Sequence, residues 1–190
     1  GVITLKKGET ASIKGLPVGT EYKVQELAAE GYDLNEVTAA AGAQQNNTDP
    51  TIVTGSVTQK DAVYTNLFEN KIHTETVTIN KTDRDGNALR GATFTVTDGT
   101  GAVVALNPVA ASGSAETGYA SYTFEAKNNT SYTVRESVAP VGYKAITGSY
   151  VVQVGPDGTI VQTGAVSGFV LNVASKTITV TDTEKTLDAD

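Results

Sequence analysis

The chain has 190 residues, enough for one large domain or two small ones, and 39% hydrophobic against 18% charged residues is ordinary for a folded soluble chain. A formal net charge of −7 argues against nucleic acid and against insertion into or binding to an anionic membrane, because such partners select basic patches. With no cysteine there are no disulfides or thiolate metal sites, and the single histidine, His73, lacks the second imidazole of a His-based metal site; no metal and no cofactor is expected.

Apolar residues near the start are interrupted by Lys6, Lys7 and Glu9, which does not read as a signal peptide, and no sorting signal is visible at Thr186–Asp190. No apolar run approaches the roughly 20 residues of a membrane-spanning helix. Along the chain, short alternating runs predict strands at Val2–Leu5, Thr10–Ile13, Glu21–Glu26, Ala62–Asn66, Thr76–Lys81 and Thr93–Thr97. Further runs follow at Ala120–Glu125, Ser131–Glu136, Ser149–Val154, Thr159–Val161 and Thr177–Asp182. Turn residues separate them at Asp85-Gly-Asn87, Asp98-Gly-Thr-Gly101, Asn128-Asn129 and Pro156-Asp-Gly158. Val37–Ala43 could form a turn or two of helix, and the small, polar stretch Ala39–Pro50 reads as an exposed loop. The fold class is all-β.

A weak repeat divides the chain. Tyr22-Lys-Val-Gln-Glu26 followed by Gly31-Tyr32 is echoed by Tyr132-Thr-Val-Arg-Glu136 followed by Gly142-Tyr143, and Tyr64-Thr-Asn66 is echoed by Val180-Thr-Asp182. Two related modules are expected, residues 1–72 and 73–190. The first has less sequence ahead of its Glu26 than the second has ahead of Glu136, so its opening strands are expected to be missing.

Strand parity carries the chemistry. Successive side chains alternate faces, so Lys81 continues the apolar face of Val77 and Ile79, Glu136 that of Tyr132 and Val134, and Asp182 that of Ile178 and Val180. One amine and two carboxyls are therefore aimed at a core. Burial lowers a lysine pKa and raises a carboxyl pKa, which yields a nucleophilic neutral amine, an electrophilic carboxyl and a proton shuttle. The product would be a Lys81–Asp182 amide with Glu136 as acid and base. Parity alone reads equally well as a solvated rim or a surface ion pair, because residues at strand ends are often exposed.

The second module resembles the Cna B-type domains of Gram-positive pilins and adhesins, through Val77-Thr-Ile-Asn-Lys-Thr-Asp-Arg-Asp-Gly-Asn-Ala-Leu-Arg-Gly-Ala-Thr-Phe-Thr-Val96, Tyr132-Thr-Val-Arg-Glu-Ser-Val-Ala-Pro-Val-Gly-Tyr143 and Ile178-Thr-Val-Thr-Asp-Thr183. The resemblance implies an immunoglobulin-like β-sandwich with an isopeptide bond from Lys81 to Asp182, assisted by Glu136. More members of that family carry Asn than Asp at the acceptor; with Asp the leaving group is water. The first module resembles the C-terminal half of a pilin isopeptide-linkage domain through Leu5-Lys-Lys-Gly-Glu-Thr10, Ile13-Lys-Gly-Leu-Pro-Val-Gly-Thr20, Tyr22-Lys-Val-Gln-Glu26 and Val63-Tyr-Thr-Asn66. Glu26 would match the assisting acid and Asn66 the acceptor. The lysine partner is absent, since Lys7 shares parity with Ile3 and Leu5 but sits at a glycine turn outside the motif.

Other signals read as structure. Asp83-Arg-Asp-Gly-Asn87 places its glycine too early for a calcium loop and reads as a hairpin turn. Asn46-Asn-Thr48 and Asn128-Asn-Thr130 fit a glycosylation pattern that is common by chance. Tyr22, Tyr64 and Tyr132 share parity with apolar neighbours and read as core, whereas Tyr119 and Tyr122 fall on opposite faces.

The resulting expectation is a structural stalk or backbone segment of a bacterial surface or pilus protein. It would be extracellular, anchored outside this sequence, partnered by other pilus or surface subunits, and not an enzyme beyond one self-cross-linking event. The alternatives are an adhesin module that binds host matrix protein or glycan, and an accessory β-domain of a secreted enzyme.

Overall fold

The computed structural model describes residues 1–110 and 118–186, so residues 187–190, part of the stretch read above for a sorting signal, lie outside the described residues. They are strands, turns and loops, and none of them is helical. Two compact units emerge, Gly1–Lys71 and Ile72–Asp190.

The first unit contains β1 (Glu21–Gln25), β2 (Tyr32–Thr38), β3 (Gln44–Gln45), β4 (Ile52–Ser56) and most of β5 (Leu67–Ile72). One antiparallel sheet has the order β1-β4-β3, and β2 pairs with β5. Its buried apolar residues are Ala40, Val53 and Val57, while Val24, Leu27 and Leu67 remain exposed. Val37–Ala43 is the end of β2 and a turn rather than helix, and the predicted loop Ala39–Pro50 includes β3. Asn46 turns the β3–β4 hairpin, its Oδ1 accepting the Thr48 and Asp49 N–H groups at 2.8 and 3.0 Å.

Three predicted strands of this unit do not form. Val2–Leu5 and Thr10–Ile13 find no neighbouring strand and stand exposed, and an alternating pattern makes a strand only where a ladder accepts it. In Ala62–Asn66 the backbone follows a loop instead. Tyr64 Oη accepts the Thr58 and Gln59 N–H groups at 2.8 and 3.0 Å, and Val63 is left 88% exposed. Tyr22 and Tyr64, predicted as core, are half-buried and stand 6.4 Å apart as a tilted pair.

The second unit contains β6 (Thr74–Thr82), β7 (Thr93–Asp98), β8 (Val103–Val104), β9 (Asn107–Val109), β10 (Ser121–Lys127) and β11 (Thr130–Val138). These are followed by β12 (Tyr143–Lys144), β13 (Tyr150–Val154), β14 (Ile160–Thr163), β15 (Phe169–Asn172), β16 (Thr177–Thr181) and β17 (Thr183–Glu184). Two five-stranded sheets, β15-β16-β6-β10-β9 and β14-β13-β11-β7-β8, form a sandwich, with a β12–β17 pair at one end. All pairings inside the two sheets are antiparallel except β6 with β16, which run parallel with Lys81 opposite Val180 and Thr82 opposite Thr181.

Period-two alternation builds the core. Val77 and Ile79 from β6, Ile178 and Val180 from β16 and Phe124 from β10 meet Val96 from β7, Tyr132 and Val134 from β11 and Val152 from β13. Phe124 and Tyr132 lie 5.4 Å apart, and Tyr132 Oη accepts the Lys127 N–H at 2.7 Å, which lets a buried phenol keep a partner. Asp83–Asn87 is a turn, as its spacing predicts: Asp83 Oδ1 accepts the Asp85 and Asn87 N–H groups, and Gly86 supplies a φ of 85°.

Candidate functional site

At or just past the end of three core strands an ionisable residue stands where the alternation calls for an apolar one. In β6 the burial alternates through Val77, Ile79 and Lys81; in β11 through Tyr132, Val134 and Glu136; in β16 through Ile178 and Val180 to Asp182, the next residue. Lys81 and Asp182 are each 1% exposed and Glu136 8%. Lys81 lies in β6 and Asp182 directly follows β16, its parallel neighbour in one sheet, and the Asp182 N–H donates to Thr82 O at 3.1 Å. Glu136 faces them from the other sheet. The ladder between β11 and β7 shifts register between Glu136 and Val138, an irregularity of the kind that re-aims a side chain at a strand end.

Lys81 Nζ lies directly against Asp182 Oδ1 and 3.2 Å from Glu136 Oε1, with all three side chains at 0% exposure. The directed bond of Nζ is a long one to Val180 O, 3.4 Å, and both Asp182 oxygens and Glu136 Oε1 are buried without a hydrogen bond. Glu136 Oε2, by contrast, accepts the Ile146 N–H at 3.0 Å.

The electrostatics follow from counting charges. One amine faces two carboxyls, so full ionisation would leave a net negative charge in a dry core, at several kcal/mol per buried ion. Desolvation pushes the Glu136 carboxyl above its ordinary range, against the opposing pull of the Ile146 N–H and of Lys81. A carboxylate whose charged partner must also serve Glu136 is a costly way to bury Asp182. A neutral amine beside a carboxyl, or the amide that joins them, removes that cost. The arrangement has what acyl transfer needs: a nucleophile against the carboxyl it would attack and a second carboxyl within reach of the moving proton.

The first unit places its predicted residues differently. Glu26 is half-buried just past β1, and its Oε1 accepts the Asn70 Nδ2–H at 2.6 Å, while Oε2 is buried without a partner. Asn66 is occupied elsewhere, its Oδ1 accepting the Ala40 N–H at 2.9 Å. Asn70, which the repeat does not single out, is therefore the carboxamide that meets Glu26. Lys7 lies exposed in a turn closed by Glu9 N–H to Lys6 O, 2.9 Å. Among the described residues no cluster of His, Asp or Glu is arranged to hold a metal ion, and no helix is long and apolar enough to cross a membrane.

Two family models match parts of this chain. Residues 75–164 match the model of the SpaA prealbumin-like fold domain, and residues 1–72 match a domain of unknown function, DUF7601. No curated protein matches the sequence. Among solved structures, a C-terminal fragment of the pilus adhesin SpaC from Lactobacillus rhamnosus GG is similar at 21% identity and a TM-score of 0.55, covering 91% of this chain and 80% of the fragment. The longer SpaC structure is similar at 20% identity and a TM-score of 0.53, covering 88% of this chain and 25% of that one. At these identities the likeness is one of fold: immunoglobulin-like β-sandwich modules.

Proposed function

We propose, from a chain whose residues 75–164 match a prealbumin-like domain of the SpaA family, that it is a load-bearing segment of an extracellular pilus or surface protein whose second unit staples itself with a Lys81–Asp182 amide. Its partners are other subunits of that assembly. The observation that carries the reading is the burial of Lys81 Nζ against an Asp182 carboxyl that has no hydrogen bond, with Glu136 Oε1 3.2 Å from the same nitrogen.

Lys81 reacts as the neutral amine and Asp182 as the protonated carboxyl, whose hydroxyl is the group that departs. Nζ attacks Asp182 Cγ, and Glu136 takes the proton that Nζ loses. Glu136 then returns that proton to the departing Asp182 oxygen, so one C–N bond forms, one C–O bond breaks and one water leaves. Juxtaposition of the reactants is the main source of rate, since well-oriented intramolecular reactions reach effective molarities on the order of 10⁵–10⁸ M. Asp182 is consumed and Glu136 is regenerated, so each chain reacts once and no external substrate is turned over.

The bond would tie the first strand of the unit, β6, to the end of its last long strand, β16. Tension entering at one and leaving at the other would pass through the amide and bypass the chain between them. Closing a loop of about 100 residues also removes unfolded-state entropy worth about 4–5 kcal/mol on the chain-entropy model for cross-links. In the first unit the Glu26–Asn70 pair has the carboxyl and the carboxamide of a similar site without the amine.

Intact mass of the purified chain tests the reading. The expected result is a deficit of one water in the native sequence and the full mass in Lys81→Ala and Glu136→Ala. A native chain at full mass would reduce the site to a buried ion pair.

A further inference from the structure

Resting on that cross-linking reading, we infer that the strap Gly142–Ile146 is the positioning element of the site, because it holds the carriers of both carboxyls at once. Its first half secures Asp182. Tyr143 and Lys144 form β12 and pair with Glu184 and Thr183, the residues that directly follow Asp182, and the Lys185 N–H donates to Gly142 O at 2.8 Å. Its last residue secures Glu136, through the Ile146 N–H at 3.0 Å from Oε2.

The Ile146 side chain adds a third hold. It packs against the core beside Gly168, where an added Cβ would come within 2.5 Å of Ile146 Cδ1 and 3.0 Å of Thr181 O. Gly168 in turn accepts the Thr181 N–H at 2.8 Å, and Thr181 is the residue before Asp182. The strap thus grips the chain on both sides of Asp182 while it orients Glu136.

The consequence for the proton is directional. Oε2 is engaged by the Ile146 N–H, whereas Oε1 is the oxygen that meets Lys81 Nζ, at 3.2 Å. A carboxyl fixed by one oxygen cannot rotate away, and the N–H bond favours the ionised form that can accept the lysine proton. Ile146 touches no reacting atom and acts only through Glu136.

The test is the rate of water loss, read by intact mass at timed intervals during cell-free synthesis of the full chain over a range of pH. The decisive variant replaces Ile146 by its α-hydroxy acid, which deletes the N–H and keeps the side chain; Ile146→Ala keeps the N–H and removes the wedge. The ester variant is expected to react about tenfold or more slowly, with the rising limb of its pH–rate profile, which reports Glu136, moved to higher pH. Ile146→Ala is expected to leave that limb in place. An ester variant with the native rate, or one slowed with an unmoved limb, overturns the strap proposal alone. A native chain that loses no water at any pH overturns the cross-linking reading itself.

Discussion

Tyr22–Glu26 and Tyr132–Glu136 are the same five-residue pattern placed in two settings. In the second unit the strand carrying it, β11, has β7 on one side and β13 on the other, and a second sheet covers its inner face. Glu136 is driven into a dry core there, against a lysine and another carboxyl. In the first unit the corresponding strand, β1, lies at the edge of β1-β4-β3, and Glu26 remains half-buried with a neutral carboxamide for company. The same side chain is thus buried against charged groups in one place and half-exposed beside a carboxamide in the other. Depth and neighbours make the difference, and these come from the strands packed around the motif rather than from the motif.

The strongest way to break this contrast is Lys81→Ala. It should abolish the water loss, remove about 4–5 kcal/mol of cross-link stabilisation and leave two carboxyls buried without their cation. In a denaturant titration the transition of the second unit should fall steeply while that of the first stays where it was. Equal transitions before and after would mean that the second unit owes nothing to the lysine.

Core truncations should separate the units next. Phe124→Ala, inside the sandwich, is expected to cost about 3–5 kcal/mol, and Val53→Ala, in the small core of the first unit, about 1.5–2.5 kcal/mol. Chemical denaturation of each variant checks the ranking.

The pH dependence comes next in size. Burial raises the Glu136 pKa above its unfolded value, so the native state holds that proton more tightly than the unfolded chain does. In Lys81→Ala, where the opposing lysine charge is gone, stability of the second unit should be greatest below the ordinary carboxylate range. It should decline as pH rises from there through the folded pKa of Glu136. Thermal melts of that variant between mildly acidic and neutral pH would show the trend, and a stability that climbs with pH would contradict it. The smallest effect belongs to Glu26→Gln, which should leave the one-water deficit relative to the variant's own sequence mass unaltered and shift stability by no more than about 1 kcal/mol, since it replaces one hydrogen bond in a partly exposed site.

Much of the site was legible because strand parity is a local property. Val77, Ile79 and Lys81 share a face whatever the rest of the chain does, and so do Tyr132, Val134 and Glu136. Their convergence required only that the three apolar faces share one core. The strap was not legible: Tyr143 and Lys144 form a two-residue strand whose partner lies 40 residues away, and Ile146 acts through a backbone N–H that every residue but proline possesses. The register shift after Glu136 has no sequence mark either, since Ser137 is compatible with a regular strand. In the first unit, alternation at Val2–Leu5 and Thr10–Ile13 suggested strands for which the structure supplies no neighbour. The Asn66 assignment followed the repeat, whereas the Ala40 amide claims that side chain in the fold.

The parallel pairing of β6 with β16 also bears on the order of events. Two parallel neighbours so distant in sequence come together late, since the intervening chain must first be threaded through both sheets. The lysine and the aspartate therefore meet only in a molecule that has already folded correctly. If the proposed bond forms, a misfolded or half-synthesised copy has no means of acquiring it, and the loss of water would mark only those chains that have completed the fold.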